Sequence, residues 1–432
     1  MAGPSRVRTG FLHLVARTLR RWSVTGDTGP VEAVVVGAGV IGCSIALALA
    51  RDGLDVTVVD RAGGPGQGST SASSAIVRFG YSTYAGVATA WEAMHCWRDW
   101  GSHVTGSPLA TFHRCGLAFL DVAFAPFDRQ TALYDQCGVP WSVWDAADLA
   151  ARGIDPDRCW PPRRVDDPLF GTSSETLTAL WTPDAGYVDD PTLAALNLAE
   201  SARSLGVRFL FNATVVGVEE GIVLADGARV RAPVVVNAAG PWSGELNRLA
   251  GVGQDWSVTT RPLRQEVHQV PHDPVGTIVA DLDLGTYTRP TAGGAMLLGG
   301  TEPECDDLQR LAGADDCSPY ATSAVWEAQT TRVARRLPGV VVPGRPSGIA
   351  GVYDVTEDWT PIYDRTERDG YFVAIGTSGN QFKNAPLVGS FLAALVRGES
   401  TYTGVHTGLT IDLTAFSRIR PRNAASTGTV MG

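Results

Sequence analysis

The chain has 432 residues, of which 44% are hydrophobic and 19% are charged. This composition rules out a mainly disordered chain, and the net charge of −10 argues against a general nucleic-acid binder. The apolar runs are shorter than the roughly 18 residues of a membrane-spanning helix. The sequence therefore predicts a soluble, cytoplasmic globular protein with about two or three domains.

The two ends of the chain differ in composition from the rest. Residues 1–30 contain five arginines and no acidic residue before Asp27. A basic amphipathic helix over residues 11–24 would suit a targeting peptide or a membrane-surface anchor; a disordered extension or a mis-assigned start codon is the simpler interpretation. Residues 413–432 are predicted to be disordered, because their last part is rich in Ala, Ser, Thr and Gly.

Strand and helix patterns alternate between these ends. Residues 33–36 predict a first strand, 41–51 a helix and 56–60 a second strand, which indicates a parallel, doubly wound sheet. Later segments continue the alternation, and two in the middle indicate an antiparallel sheet. These later elements are a helix at 192–205, strands at 207–211, 214–219 and 229–236, antiparallel strands at 262–270 and 294–300, a strand at 371–375 and a helix at 384–396.

The predicted fold is α/β with two domains. One is a discontinuous Rossmann-like domain, and the other is a substrate domain built on a mainly antiparallel sheet. The first comprises residues 31–110, 176–255 and 345–412, and the second residues 111–175 and 256–344.

A glycine motif lies between the first strand and its helix: Gly37-Ala38-Gly39-Val40-Ile41-Gly42. Its first glycine allows a tight turn, the second lets the backbone approach a pyrophosphate, and the third lets the helix pack on the strand. Asp60 ends the second strand, where a carboxylate can bind a ribose hydroxyl, and Arg61 follows it. The motif predicts a dinucleotide, FAD or NAD.

A loop of small and hydroxyl residues follows at 68–78, and it resembles the flavin loop of the D-amino-acid-oxidase-like flavoproteins. Segments 182–189, 235–242 and 376–383 resemble further motifs of that superfamily in the same order, closest to the sarcosine-oxidase and dimethylglycine-oxidising group. The resemblance implies FAD. It also implies the cofactor contacts Ser69, Thr70, Ser71, Ser74, Ala75, Ile76, Val215, Ala239, Gly240, Trp242, Gly351, Gly379, Asn380, Gln381, Phe382 and Lys383.

Two departures from the family concern how the flavin is held. Gly351 stands where monomeric sarcosine oxidases carry the flavin-linking cysteine, and residues 61–78 contain no histidine for the other linkage. The FAD is therefore predicted to be bound non-covalently.

The resemblance also implies a substrate site. Arg78 and Lys383 match the residues that hold the substrate carboxylate in sarcosine oxidases, and Tyr353 matches a substrate-contacting tyrosine. Lys383 is the single lysine of the chain, among 35 basic residues. An arginine fork grips a carboxylate in two places, and an ammonium adds a compact charge. We expect a small amino-acid substrate, N-methylated or cyclic, that loses hydride from the carbon beside its nitrogen and yields an imine that water hydrolyses.

Several alternatives stay open from the sequence. Electrons could pass to oxygen, or to a protein or quinone as in a dehydrogenase, and the chain could be a flavin-binding subunit of a larger complex or a plain NAD enzyme. Residues 261–290 contain no lysine of the kind that promotes the oxygen reaction in sarcosine oxidases, which leaves Arg261, Arg264 and Arg289 as candidate cations. His268 and His272 are weak candidates for a proton role, with Pro271 between them. The cysteines form no C-x-x-C pair, so no metal site is predicted.

Overall fold

The computed structural model describes residues 30–121, 127–159, 164–168, 170, 173, 175–301 and 305–431. The predictions for residues 1–29 lie outside these ranges. No helix in the described residues is long and apolar enough to cross a membrane.

The strands of the described chain are numbered in chain order. They are β1 (Ala33–Val36), β2 (Val56–Val59), β3 (Ile76–Val77), β4 (Phe112–Arg114), β5 (Leu117–Leu120), β6 (Ser142–Trp144), β7 (Ala179–Thr182), β8 (Gly186–Val188), β9 (Arg208–Leu210), β10 (Val215–Glu219), β11 (Gly221–Leu224), β12 (Arg229–Arg231), β13 (Val234–Asn237), β14 (Thr260–Val270), β15 (Ile278–Asp281), β16 (Thr286–Pro290), β17 (Met296–Gly300), β18 (Gln309–Arg310), β19 (Gly348–Thr356), β20 (Ile362–Arg365), β21 (Tyr371–Ile375), β22 (Thr401–Thr403) and β23 (Thr410–Asp412).

The α-helices are numbered in the same way. They are α1 (Val40–Arg51), α2 (Tyr84–Arg98), α3 (Trp100–His103), α4 (Phe127–Cys137), α5 (Ala146–Ala151), α6 (Pro191–Ser204), α7 (Ser243–Ala250), α8 (Ser323–Arg336) and α9 (Ala385–Val396). Short 3₁₀ turns lie at Gly240–Trp242, Ala314–Asp316, Phe382–Asn384 and Leu413–Phe416.

A six-stranded sheet in the order β20-β21-β13-β1-β2-β9 forms the first layer. All neighbours are parallel except β20, which pairs antiparallel with β21. β1 and β2 are buried along their whole length, as valine-rich strands covered on both faces should be. The predicted α/β fold class is confirmed.

The sheet explains why distant motifs meet. The glycine motif follows β1, Asp60 follows β2, Ala239 follows β13 and the segment from Gly376 follows β21. Parallel strands end at the same edge of a sheet, and ligands of such sheets bind in the crevice beyond that edge. The four motifs, spread over more than 300 residues of sequence, therefore lie around one crevice.

A second, mainly antiparallel sheet of nine strands lies beside the first. Its longest pairing joins β14 to β19, in register from Thr260 opposite Thr356 to His268 opposite Gly348. One neighbour pair, β5 with β15, is parallel. The sheet carries the antiparallel strands that the sequence predicted at 262–270 and 294–300.

Two strands of the nine-stranded sheet come from segments that were predicted to belong to the cofactor domain. β7 and β19 belong to the nine-stranded sheet, although residues 176–255 and 345–412 were both assigned to the cofactor domain. Neither strand carries a local signal of its partner, because sheet membership depends on a pairing that is distant in sequence.

The chain end also differs from its prediction. Residues 413–431 are not a disordered tail in the structure. They start with a 3₁₀ turn and stay attached to the body, since the buried Arg420 pairs with Asp358 at 2.9 Å and Met431 is only 7% exposed. A composition rich in small polar residues does not reveal these two anchoring contacts.

Candidate active site

The start of α1 forms one end of a large crevice. Gly37 has a φ of +109°, and a Cβ there would lie 2.2 Å from the carbonyl oxygen of Ala238. A Cβ on Gly42 would lie 1.8 Å from the carbonyl oxygen of Gly37. The Val40 N–H is capped by the Thr70 hydroxyl at 3.1 Å. The glycines therefore let the loop and the helix approach closely enough for the amino end of α1 to face the crevice, where it favours phosphate.

Asp60 is held in place by two main-chain groups. Its carboxylate accepts hydrogen bonds from the N–H of Ala38 at 2.6 Å and from that of Ala62 at 2.7 Å. Beside it, Arg61 lies over the Trp242 ring at 4.7 Å. This arrangement fits a cofactor ribose bound at Asp60, with an aromatic and cationic outer wall.

The crevice encloses a cavity of about 570 Å³, within the range of small-molecule sites. One buried carboxylate oxygen of Asp354, on its wall, has no hydrogen-bond partner among the described residues. Most of the predicted cofactor residues line it: Gly37, Gly39, Val40, Ile41, Asp60, Arg61, Ser69, Thr70, Ser74, Val215, Ala239, Gly240, Trp242, Gly379, Gln381 and Phe382. The size of the cavity, the glycine cradle and the polar lining fit a dinucleotide such as FAD.

The remaining predicted cofactor residues do not line this cavity in the described structure. Ala38, Gly42, Ser71, Ala75 and Gly351 are not part of the cavity lining in the described structure. Gly351 is packed against the flavin loop, since a Cβ there would lie 2.7 Å from that of Ala72.

A second, smaller cavity of about 40 Å³ adjoins the first. The two share a wall made of Ser73, Ser74, Tyr353, Gly379 and Phe382. The smaller cavity is also lined by Arg78, Lys383, Asn380 and Ile76, together with Tyr287 and the late residues Val430 and Met431. The residues predicted to hold a substrate are thus brought together beside the predicted cofactor.

The two predicted cations of the smaller cavity are both buried. Arg78 is 6% exposed and donates hydrogen bonds to the carbonyls of Gly80 and Val430, the latter at 2.6 Å. Lys383 is 3% exposed and donates to the carbonyl of Asn380 and, at 2.9 Å, to the hydroxyl of Tyr81. Burial lowers the pKa of both groups, and Arg78 lowers that of Lys383 further. The described partners are neutral, so an anion would be favoured here.

Tyr353 forms the wall between the cavities. A Cβ on Gly379 would lie 2.3 Å from its ring, so the loop after β21 needs glycine at this position to pack against it. Burial raises the pKa of the Tyr353 hydroxyl, which therefore stays protonated near neutral pH.

Comparison with known proteins agrees with this geometry. Residues 32–395 match the family described as DAO, FAD dependent oxidoreductase. The chain belongs to this family.

Curated relatives of this DAO-family protein include two whose names specify a reaction. It is 27% identical to a 4-methylaminobutanoate oxidase (formaldehyde-forming) of Paenarthrobacter nicotinovorans, over 85% of this chain and 43% of that protein. It is 25% identical to the N-methyl-L-tryptophan oxidase of Yersinia pestis (strain Pestoides F), over 90% of this chain and 99% of that protein. The chain spans about half the length of the first relatives that it matches.

Solved structures show the same fold. The L-proline dehydrogenase of P. horikoshii superposes with a TM-score of 0.73 at 22% sequence identity, covering 90% of this chain and 97% of that one.

The other candidates of this DAO-family protein contact residues outside the cavity linings. His268 is buried against Trp326, and His272 is exposed. Arg264 pairs with Glu266 at 2.7 Å, while Arg289 lies over the Tyr187 ring at 4.4 Å. Among the described residues these four, and Arg261, do not line either cavity.

Some site residues were not predicted from the sequence. Asp354 and Thr377 line the larger cavity, while Val430 and Met431 line the smaller one. Tyr81 contacts Lys383, and in the sequence it lies three positions after Arg78. This closeness in sequence to a predicted site residue is a signal that could have identified it. Val430 and Met431 carried no such signal, because only the folding of the last segment back onto the site brings them there.

Proposed function

We propose that this protein uses FAD to oxidise the C–N bond of a small amino acid, N-methylated or cyclic. Hydride leaves the carbon beside the amine nitrogen, and water then hydrolyses the resulting imine to a carbonyl compound and an amine. The bound flavin supplies the two-electron chemistry.

The observation that carries the proposal is the placement of Arg78 and Lys383. Both cations are buried, and both line a cavity that shares the Tyr353 wall with the cofactor cavity. Two buried cations favour a monoanion and disfavour a plain amine, which would leave the charges unpaired. A carboxylate held there would place the rest of a small amino acid toward the shared wall.

The names of the relatives support the same chemistry. Both 4-methylaminobutanoate and N-methyl-tryptophan carry an N-methylated amine and a carboxylate. The chain's own residues would bind the carboxylate, orient the substrate and exclude water.

The electron acceptor is a separate part of the proposal. The cations that line the two cavities in the described structure are Arg61, Arg78 and Lys383, and none of the three arginines considered for the oxygen reaction is among them. Arg61 lies beside Asp60, and Arg78 and Lys383 are assigned to the substrate carboxylate, so the described lining offers no separate cation for the oxygen reaction. This assignment supports a dehydrogenase that passes electrons to a protein or quinone over a fast oxidase. A role as a flavin-binding subunit of a larger complex is compatible with this chemistry, because the chain itself carries the residues proposed to bind the substrate.

Anaerobic mixing tests the proposal. The purified yellow protein is mixed without oxygen with sarcosine, other N-methyl amino acids, proline and glycine, and bleaching of the flavin is followed. Dimethylamine serves as the matched control, because it carries the amine without the carboxylate. We expect bleaching only by carboxylate-bearing amines. Equal bleaching by dimethylamine, or none by any amino acid, would contradict the proposal.

A further inference from the structure

The last described residues of the chain occupy one side of the proposed substrate cavity. The main-chain carbonyl of Val430 accepts a hydrogen bond from Arg78 at 2.6 Å. Val430 and Met431 both line the cavity. A backbone carbonyl thus occupies a guanidinium nitrogen that a substrate carboxylate would use.

The space left by this segment is small. The cavity of about 40 Å³ holds roughly one to three water molecules. Val430 and Met431 are part of the lining, so moving the segment Thr429–Met431 aside would enlarge the space for a substrate.

The segment is built in two parts. Its base is fixed to Asp358, which pairs with Arg420 at 2.9 Å and accepts the Asn423 N–H at 3.0 Å. Residues 424–428 read Ala-Ala-Ser-Thr-Gly and form no regular element, and Gly428 has a φ of +70°. Beyond them, Thr429 and Met431 are buried again. Moving the tip aside would break the bond from Arg78 to the Val430 carbonyl, whereas the contacts of the base are made separately at Asp358.

The tip is a weaker partner for Arg78 than a substrate would be. A carbonyl is a neutral acceptor, whereas a carboxylate forms charge-assisted bonds that are about twice as strong. The tip belongs to the same chain as Arg78, which gives it an effective concentration near that residue of the order of millimolar. Only ligands that bind well enough to Arg78 would displace it.

We propose that Thr429–Met431 is a lid that determines substrate selection, because it competes with the substrate carboxylate for Arg78 and limits the size of the cavity. This inference rests on the proposed function, since it takes Arg78 to be the carboxylate anchor. It assigns substrate specificity to a segment around Val430, which lies 352 positions after Arg78 in the sequence.

The test measures binding of a carboxylate to the FAD-containing protein. The probe is (methylthio)acetate, in which sulfur replaces the amine nitrogen of sarcosine so that no oxidation follows. Binding is titrated through the flavin absorbance for the wild type, a chain that ends after Asn423, Met431→Ala, and the control Ile419→Ala. Ile419 is an exposed apolar residue of the same chain end.

We expect the shortened chain to bind the probe about tenfold more tightly, Met431→Ala to show a smaller gain, and Ile419→Ala to match the wild type. Equal or weaker binding by the shortened chain overturns the lid. If the shortened chain does not retain flavin, the Met431→Ala variant provides the test, and equal or weaker binding of the probe than by the wild type overturns the lid.

The same titration separates this inference from the proposed function. If wild type and variants bind the probe equally, and amino acids still bleach the flavin, only the lid is wrong. If none of them binds the probe and no amino acid bleaches the flavin, the proposed function fails and the lid fails with it.

Discussion

Lys383 donates a hydrogen bond to the hydroxyl of Tyr81 at 2.9 Å, and its ammonium lies 4.9 Å from the centroid of the same ring. Both residues are buried. The second acceptor of the ammonium is the carbonyl of Asn380. The charge of Lys383 is therefore solvated by neutral groups in the described structure, and a bound carboxylate would compensate it.

Replacing Lys383 should remove half of the anion site. We expect Lys383→Met to lower turnover by about a hundredfold, because loss of one partner of a buried charge pair costs roughly 2–5 kcal/mol. Arg78→Lys should also be harmful, since a point charge does not reproduce the fork of a guanidinium. Steady-state kinetics on flavin-loaded protein measure both. Wild-type turnover in both variants would refute the anchoring role.

The same lysine should make the protein less stable when no substrate is bound. The pKa of Lys383 in the folded protein lies well below its usual value, mainly through burial. The unfolded chain then binds more protons between this lowered pKa and about 10.4, so the stability of the wild type rises with pH across that interval.

Lys383→Met should therefore raise the unfolding temperature, and the gain should shrink as the pH rises toward about 10.4. Thermal unfolding of the flavin-loaded proteins at pH 6 and pH 10 measures this. Arg229→Met is the control, because that cation is exposed and pairs with Glu219 at the surface. A gain that is absent at pH 6, or larger at pH 10, would contradict the prediction.

Tyr81 should act as a positioning residue for Lys383. Its hydroxyl accepts hydrogen bonds from Lys383, Gln381 and Asn384, and burial raises its pKa to about 12, so it stays neutral at working pH. Tyr81→Phe leaves these buried donors short of an acceptor, at a cost of about 1–3 kcal/mol. We expect KM to rise by about tenfold and kcat to change much less.

The matched control for Tyr81 is Tyr371→Phe. Tyr371 is equally buried and its hydroxyl is bonded to Asn247, away from the smaller cavity. This variant should lose stability without a change in KM. A similar rise of KM in both variants would mean that Tyr81 contributes only packing and does not position Lys383.

The flavin should be released when the protein is denatured. Neither cavity is lined by a cysteine or a histidine in the described structure, and Gly351 offers no nucleophile. Acid precipitation should leave the yellow colour in the supernatant, while a protein with histidine-linked flavin, treated in parallel, keeps it in the pellet. Colour in the pellet of this protein would show a covalent link.

Reoxidation by air should be slow compared with an artificial acceptor. Forming superoxide beside reduced flavin creates an anion, which a separate fixed cation would stabilise, and each 1.36 kcal/mol lost costs about tenfold in rate. Arg78 and Lys383 are assigned to the substrate carboxylate, and the described lining of the two cavities holds no other cation near them. Arg289→Met should leave the oxygen rate unchanged, because Arg289 lies over Tyr187 and outside both cavities. Stopped-flow mixing of reduced protein with oxygen measures the rate. Reoxidation as fast as substrate reduction would make the protein an oxidase.

The sequence alone determined the cofactor half of this protein. The glycine motif, Asp60 and the loop after β2 are local patterns, because a strand, a tight turn and a helix that follow one another specify their own geometry. The α/β class and the family also follow from such segments in order. Most predicted strands and helices agreed with the structure within a few residues. The prediction of one strand at 229–236 was wrong, because the structure has two strands there, Arg229–Arg231 and Val234–Asn237, which belong to different sheets.

The tertiary structure decided what meets at the substrate side. β7 and β19 join the large sheet through partners that are distant in the chain. Arg78 meets Val430, and Lys383 meets Tyr81, only because the chain end and the segment after β21 return to the flavin loop. Contacts of this kind depend on the whole packed fold and leave no periodic or spacing signal in the sequence, so composition suggested disorder where the structure has a buried segment.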